Sequence, residues 1–192
     1  MILLSSTTTI IIIAVVAVIL LFVIINLYNG LVRMRNKVRN AWSQIDVQLK
    51  RRFDMIPNLV ETVKGYAKHE SGIFEEFAKA RNMYNQAAQA NNVEGMAQAN
   101  NALSGTLTRL LAVREAYPEL KANTNFQTLM ADLKDTEDKI SYSRQFYNDI
   151  VLKYNNFREV FPRVIFAKMF GFKSAAFFEV MQEERQNVKV SF

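Results

Sequence analysis

Residues 10–27, IIIIAVVAVILLFVIINL, limit what this chain can become more than any other stretch. Eighteen residues of almost unbroken aliphatic sequence span roughly 27 Å as a helix, close to the hydrocarbon thickness of a bilayer. No charged side chain occurs before Arg33. A cleavable signal peptide would need a basic leader and a small-residue cleavage pattern. Neither is present, since MILLSSTTT precedes the run and Asn26 and Tyr28 follow without an A-x-A pattern. The expectation is a retained transmembrane helix.

Charge then sets the expected orientation. Residues 28–52 carry Arg33, Arg35, Lys37, Arg39, Lys50, Arg51 and Arg52 against Asp46 alone, which equals the formal charge of +6 of the whole protein. Cations that follow a span and do not precede it predict the N-terminus outside and the remainder in the cytoplasm. A chain without cysteine is compatible with that compartment. Arg33, Arg35, Lys37 and Arg39 are the expected membrane-surface residues, placed to meet anionic headgroups. Lys50, Arg51 and Arg52 lie roughly 35 Å of helix beyond Leu27 and are expected on the outer face of the folded part, paired with Asp46, Asp54 or acidic groups on a neighbour.

Beyond the span the apolar residues adopt a helical period. Leu31, Met34, Val38, Ala41 with Trp42, Ile45, Leu49, Phe53, Ile56, Val60 and Val63 recur at steps of three and four. The stripe keeps phase through Pro57, which predicts one long helix, kinked there and ending near Lys68. Trp42, Ile45, Leu49, Ile56 and Val60 are the expected core of a bundle. Further helices are expected over 71–89, over 93–117 up to Pro118, and from a cap at Thr124 through Phe157. No stretch alternates as a strand would. The fold class is therefore all-α: an N-terminal transmembrane helix continuous with the first helix of an antiparallel up-and-down four-helix bundle, plus an aromatic-rich C-terminal tail. The expected divisions are 1–27 for the outside N-terminus and span, 28–160 for the cytoplasmic bundle, and 161–192 for the tail.

The tail holds 7 of the 14 phenylalanines. Phe166, Phe170, Phe172, Phe177 and Phe178 form a cluster too apolar to remain in water, covered either by the chain's own bundle or by lipid or a neighbouring subunit. Up-and-down order returns the fourth helix to the membrane, so the tail is expected to emerge near headgroup level. The five phenylalanines are the candidate subunit or lipid contact.

The blocks YNGLVRMRNKVRNAWSQIDVQLKRRFDMIPNLVETVKGYAKHE (28–70), EDKISYSRQFYNDIVLKYNNF (137–157) and FPRVIFAKMFGFK (161–173), with the terminal KVSF, resemble the LemA family of bacterial membrane proteins. The resemblance covers nearly everything after the span, in the same order. It implies a single N-terminal membrane helix followed by a cytoplasmic antiparallel helical bundle. Related proteins occur in magnetosome formation, and family genes often lie beside those of membrane proteases of the HtpX type.

The chemical inventory points away from catalysis. There is no thiol, and the single histidine, His69, cannot supply the paired Glu-x-x-His units of a di-iron bundle. HESGI is not the H-E-x-x-H of a zinc hydrolase, and the scattered glycines form no phosphate-binding loop. Glu75, Glu76, Asp135, Glu137 and Asp138 read as a solvated helix face rather than a divalent-ion site. No catalytic, cofactor-binding or metal-ligating residue is therefore assigned, and no cofactor. The basic segment has no nucleic-acid-reading motif, and its position beside the bilayer accounts for it, so nucleic acid is not an expected partner. The expected partners are the lipid bilayer, further copies of the chain as a homo-oligomer, and a second membrane protein. Two functions follow from this: a self-assembling membrane scaffold, non-enzymatic, or an adaptor for a membrane protease or envelope stress-sensing system.

Overall fold

The computed structural model describes residues 6–179. Among them every regular element is helical: α1 (Ser6–Lys64), α2 (Ser71–Gln89), α3 (Val93–Val113), a 3-10 turn (Arg114–Ala116), α4 (Pro118–Ala122), α5 (Thr124–Glu159) and α6 (Arg163–Met169). The helix α1 runs unbroken for 59 residues with Pro57 inside it. The α2 limits coincide with the expected ones. The helix α1 ends at Lys64 rather than near Lys68, and two further boundaries differ for local reasons. Pro118 disfavours helix in the residue before it, so α3 stops at Val113, tightens into the 3-10 turn, and Pro118 itself opens α4. The cap of α5 is Asn123 rather than Thr124, its side-chain oxygen accepting the Phe126 N–H at 2.9 Å.

The chain divides into two compact units. The second takes in Ala41–Asp149 and the segment from Ala176. Here α1 is antiparallel to α2, since Phe53 stacks on Tyr84 with ring centroids 4.2 Å apart and Lys64 lies over the Phe74 ring further along. The helices α2 and α3 form a hairpin, with Ala87 facing Gly95 near the turn and Glu76 paired to Arg109 at the far end. A Cβ on Gly95 would stand 2.9 Å from that of Ala87, so glycine permits the close approach. The first part of α5 is antiparallel to α1, with Trp42 against Tyr147 and Arg51 against Asp132. The result is the expected up-and-down bundle.

Its core contains Ile45, Leu49, Phe53, Ile56, Leu59 and Val63 from α1, all buried, each contributing about 1.5–3 kcal/mol by leaving water. Past Pro57 one position differs from the expected stripe: Leu59 is fully buried and Val60 is half-buried at the rim beside Pro57, Phe74 and Phe77, while Val63 is buried as expected. Trp42 is also half-buried.

The first unit takes in α1 up to Asn40 and Ile150–Ala175. From Ile10 to Ile25 the large side chains of α1, the half-buried Ile24 excepted, are 44–67% exposed, and this is the one described helix long and apolar enough to cross a membrane. Beyond it Leu31, Ala167 and Phe172 form a small core, with Val32, Phe157 and Phe166 packed on it. Gly30 lets α5 approach, because a Cβ there would stand 3.2 Å from the Phe157 ring.

Candidate functional site

Two places in the molecule concentrate polar side chains on buried contacts. The first is the grip of α5 on the chain that follows α6. In the first unit the Tyr154 hydroxyl donates to the Lys173 carbonyl at 2.8 Å. The Asn155 amide donates to the Ala175 carbonyl and accepts the Ala175 N–H, both at 3.0 Å. In the second unit the same pair of residue types recurs. The Tyr147 hydroxyl donates to the Ala176 carbonyl at 2.8 Å. Asn148 donates to the Phe178 carbonyl at 3.1 Å and accepts the Phe178 N–H at 2.9 Å. Each asparagine thus satisfies both backbone groups of one residue, as a neighbouring strand would. Burial raises the Tyr147 hydroxyl to about 12 and pushes Tyr154 up as well, so both remain donors at neutral pH.

Ring contacts complete the grip. Phe178 sits 5.9 Å from Trp42, which meets Tyr147 edge-on at 5.5 Å. In the first unit Phe172 meets Tyr28 at 5.8 Å and lies under the Arg35 guanidinium, 5.1 Å from its ring centre.

The second place is Arg52. Contrary to its expected outer position it is 2% exposed, reaching between helices to Asn100 Oδ1 at 2.5 Å, Ser104 Oγ at 3.2 Å and the carboxylate of Glu137. Three helices, α1, α3 and α5, therefore meet on one guanidinium. Burial lowers its pKa from the ordinary arginine value and Glu137 opposes that shift; arginine keeps its charge. The reason for the misplacement is geometric. Three consecutive residues turn through most of a helical circle, so one cation of a run flanked by Leu49 and Phe53 must point inward. Lys50 and Arg51 do face water, and Arg51 pairs with Asp132 and Asp135 at 3.3 and 3.7 Å on α5 of its own chain.

The other predicted residues fall as follows. Ile45, Leu49 and Ile56 are buried, with Trp42 and Val60 at the margin. Arg33, Lys37 and Arg39 are exposed, whereas Arg35 is half-buried on Phe172. Of the five candidate contact phenylalanines, Phe172 and Phe178 are buried against their own chain, and α5 grips the backbone between them. Phe166 and Phe177 are half-buried, and Phe170 is 46% exposed. His69 is exposed. Asp135 binds Lys139 at 2.7 Å, and among the described residues no three metal-ligating side chains converge. Sequence reasoning overlooked Asn148 and Asn155, although the repeated Tyr-Asn pair seven residues apart stands in FYNDIVLKYNNF.

The family model described as "LemA family" matches residues 41–192. The chain belongs to the LemA family. Its curated relatives include protein LemA of Metamycoplasma hominis, 25% identical over 88% of this chain and 77% of that protein. They also include magnetosome protein MamQ 2 of Paramagnetospirillum magneticum, 25% identical, and magnetosome protein MamQ of Magnetospirillum gryphiswaldense, 24% identical, each over 79% of this chain. The chain spans 64% of the length of those magnetosome relatives. The LemA match begins at Ala41, where the second unit begins, and so leaves out the apolar part of α1.

Proposed function

We propose that this LemA-family protein is a non-enzymatic, membrane-anchored helical scaffold that self-assembles. In this reading the N-terminus lies outside and the bundle in the cytoplasm of a bacterium, with the span in the cytoplasmic membrane. The supporting observation is the division of labour along α1: one uninterrupted helix is apolar and uncovered over 10–25, and from Ile45 to Val63 supplies the core of the bundle. A helix with no covering protein over that length needs lipid around it. The cations between the two parts support the orientation, and the relatives named as magnetosome proteins are compatible with a structural role.

The mass of the detergent-extracted particle tests the scaffold. A uniform homo-oligomer is expected, and a monomer would overturn it. An adaptor for a membrane protease or stress-sensing system is the second reading. It draws on a shallow groove in the second unit, where Val47 and Tyr142 are 62% and 77% exposed beside Ser43 and Gln48. A monomer that co-purifies with one membrane protein at fixed stoichiometry would select it.

A further inference from the structure

The turn after α5 and the short helix α6 show an amphipathicity that the first unit does not use up. On the inner side Phe166 and Ala167 pack on Leu31 and Val32. On the outer side Phe161, Ile165 and Met169, spaced by four residues, are 75%, 54% and 62% exposed, and Phe170 is 46% exposed. Helical residues four apart share a face, so Ile165 and Met169 continue into one ridge with Phe161 before them and Phe170 after. A row of large apolar side chains that a folded unit leaves outside marks a contact with something else.

Its place in the fold names the occupant. The Phe170 ring lies 5.0 Å from Tyr28, one residue past the apolar run. Phe157, near the end of α5, packs at Gly30. Because α5 runs against α1, each residue after Phe157 moves back along α1 toward the span, by about 1.5 Å while the helix lasts. Val160, 53% exposed, is therefore level with the last turn of the apolar run, and the ridge begins where the span ends. Lys168 and Lys173 are exposed beside it, as are Arg33 and Lys37 on α1. An apolar ridge with cations around it, continuous with an uncovered span, has the composition of an interfacial helix.

We propose that α6 is a second membrane contact: the ridge Phe161, Ile165, Met169 and Phe170 lies in the headgroup and upper acyl region of the leaflet from which α1 emerges. This rests on the membrane-anchor reading of α1 and adds to it that the chain touches the bilayer twice. Phe172, buried under Arg35, holds the helix in place and does not itself enter lipid. Arg163, over the Phe157 ring at 3.9 Å, is likewise committed within the unit, which leaves the lysines to meet phosphates.

The absence of cysteine makes the test direct. Single variants Ile165→Cys and Met169→Cys of the full chain carry a nitroxide in vesicles of phosphatidylethanolamine and phosphatidylglycerol. Collision with oxygen, which concentrates in lipid, is compared with collision with a water-soluble nickel chelate. Val16→Cys in the apolar run and Val47→Cys in the bundle, both on exposed positions, are the references. The expected result is a ratio of oxygen to nickel accessibility at 165 and 169 shifted from the value at 47 toward that at 16. Full access to nickel at both positions would show that the ridge faces water, and protection from both reagents would show that a second copy covers it. Either overturns the proposal while a lipid signal at 16 leaves the anchor standing. A water signal at 16 overturns the anchor and the second contact together.

Discussion

In the second unit a buried ring, Phe53, rests on a ring of the neighbouring helix. In the first unit a ring of similar burial, Phe172, rests on a cation and belongs to a segment whose backbone is held by side chains of α5. The bundle closes through helix-on-helix packing in which α1, α2, α3 and α5 each contribute an apolar stripe. The small core around Leu31 closes through a few aromatic contacts and side-chain hydrogen bonds to a segment without regular structure of its own. Stability within one molecule is uneven for such reasons, and regions with few buried apolar contacts open first.

The largest effect is expected from Ile56→Asp, which places an unpaired charge among buried helices. It should cost several kcal/mol and unfold the bundle, read as loss of helical signal in detergent; a variant that melts like the parent would mean that the α1 face is misassigned. Phe53→Ala and Phe172→Ala compare the two units directly. The first should lower the global transition, by about 3–5 kcal/mol. The second should leave that transition nearly in place and instead speed trypsin cleavage after Lys168 and Lys173. Equal global losses would abolish the distinction drawn here. Alkaline titration sharpens it further. Tyr84 and Tyr147 in the bundle are raised by burial to about 12, above the ordinary value near 10. A raised folded pKa gives stability that is complete below the unfolded value and is lost as pH climbs through the folded one. Stability should therefore be flat up to about pH 10 and fall toward pH 12, with Tyr84 and Tyr147, and beside them the raised Tyr154, ionising late in the ultraviolet difference spectrum. The smallest effect belongs to Arg51→Gln, whose ion pairs are about half exposed. It should shift stability by less than about 1 kcal/mol and less still in high salt.

What could be read from the sequence and what could not divide along the same line. The long apolar helix, the α2 limits and the core positions Ile45, Leu49 and Ile56 were legible because each rests on an apolar pattern. The burial of Leu59 in place of Val60 was not, since the two are adjacent and both apolar. Arg52 was taken for an outer residue because its partners, Asn100, Ser104 and Glu137, lie 48 or more positions away and a charge run gives no sign of which member turns inward. The grip on the tail eluded reading for another reason. Hydrogen bonds from side chains to backbone have no hydrophobic period, and the two Tyr-Asn pairs acquire meaning only when the segment from Phe172 to Phe178 lies beside α5. Likewise the cluster of phenylalanines was legible, but which rings turn inward was not.

Asn148 and Asn155 grip only the N–H and C=O of Phe178 and Ala175, and an amide that binds backbone is indifferent to the side chain attached. Seven residues of helix rise about 10.5 Å, and three residues of extended chain, the separation of Ala175 from Phe178, cover about 10 Å. The helix therefore acts as a ruler against which the tail is laid. The asparagines themselves place no demand on the side chain at the residue they hold, proline excepted because the N–H is gripped, but they fix the count of residues between the marks on both elements: a single insertion or deletion there shifts one scale against the other and leaves the second asparagine facing the wrong peptide.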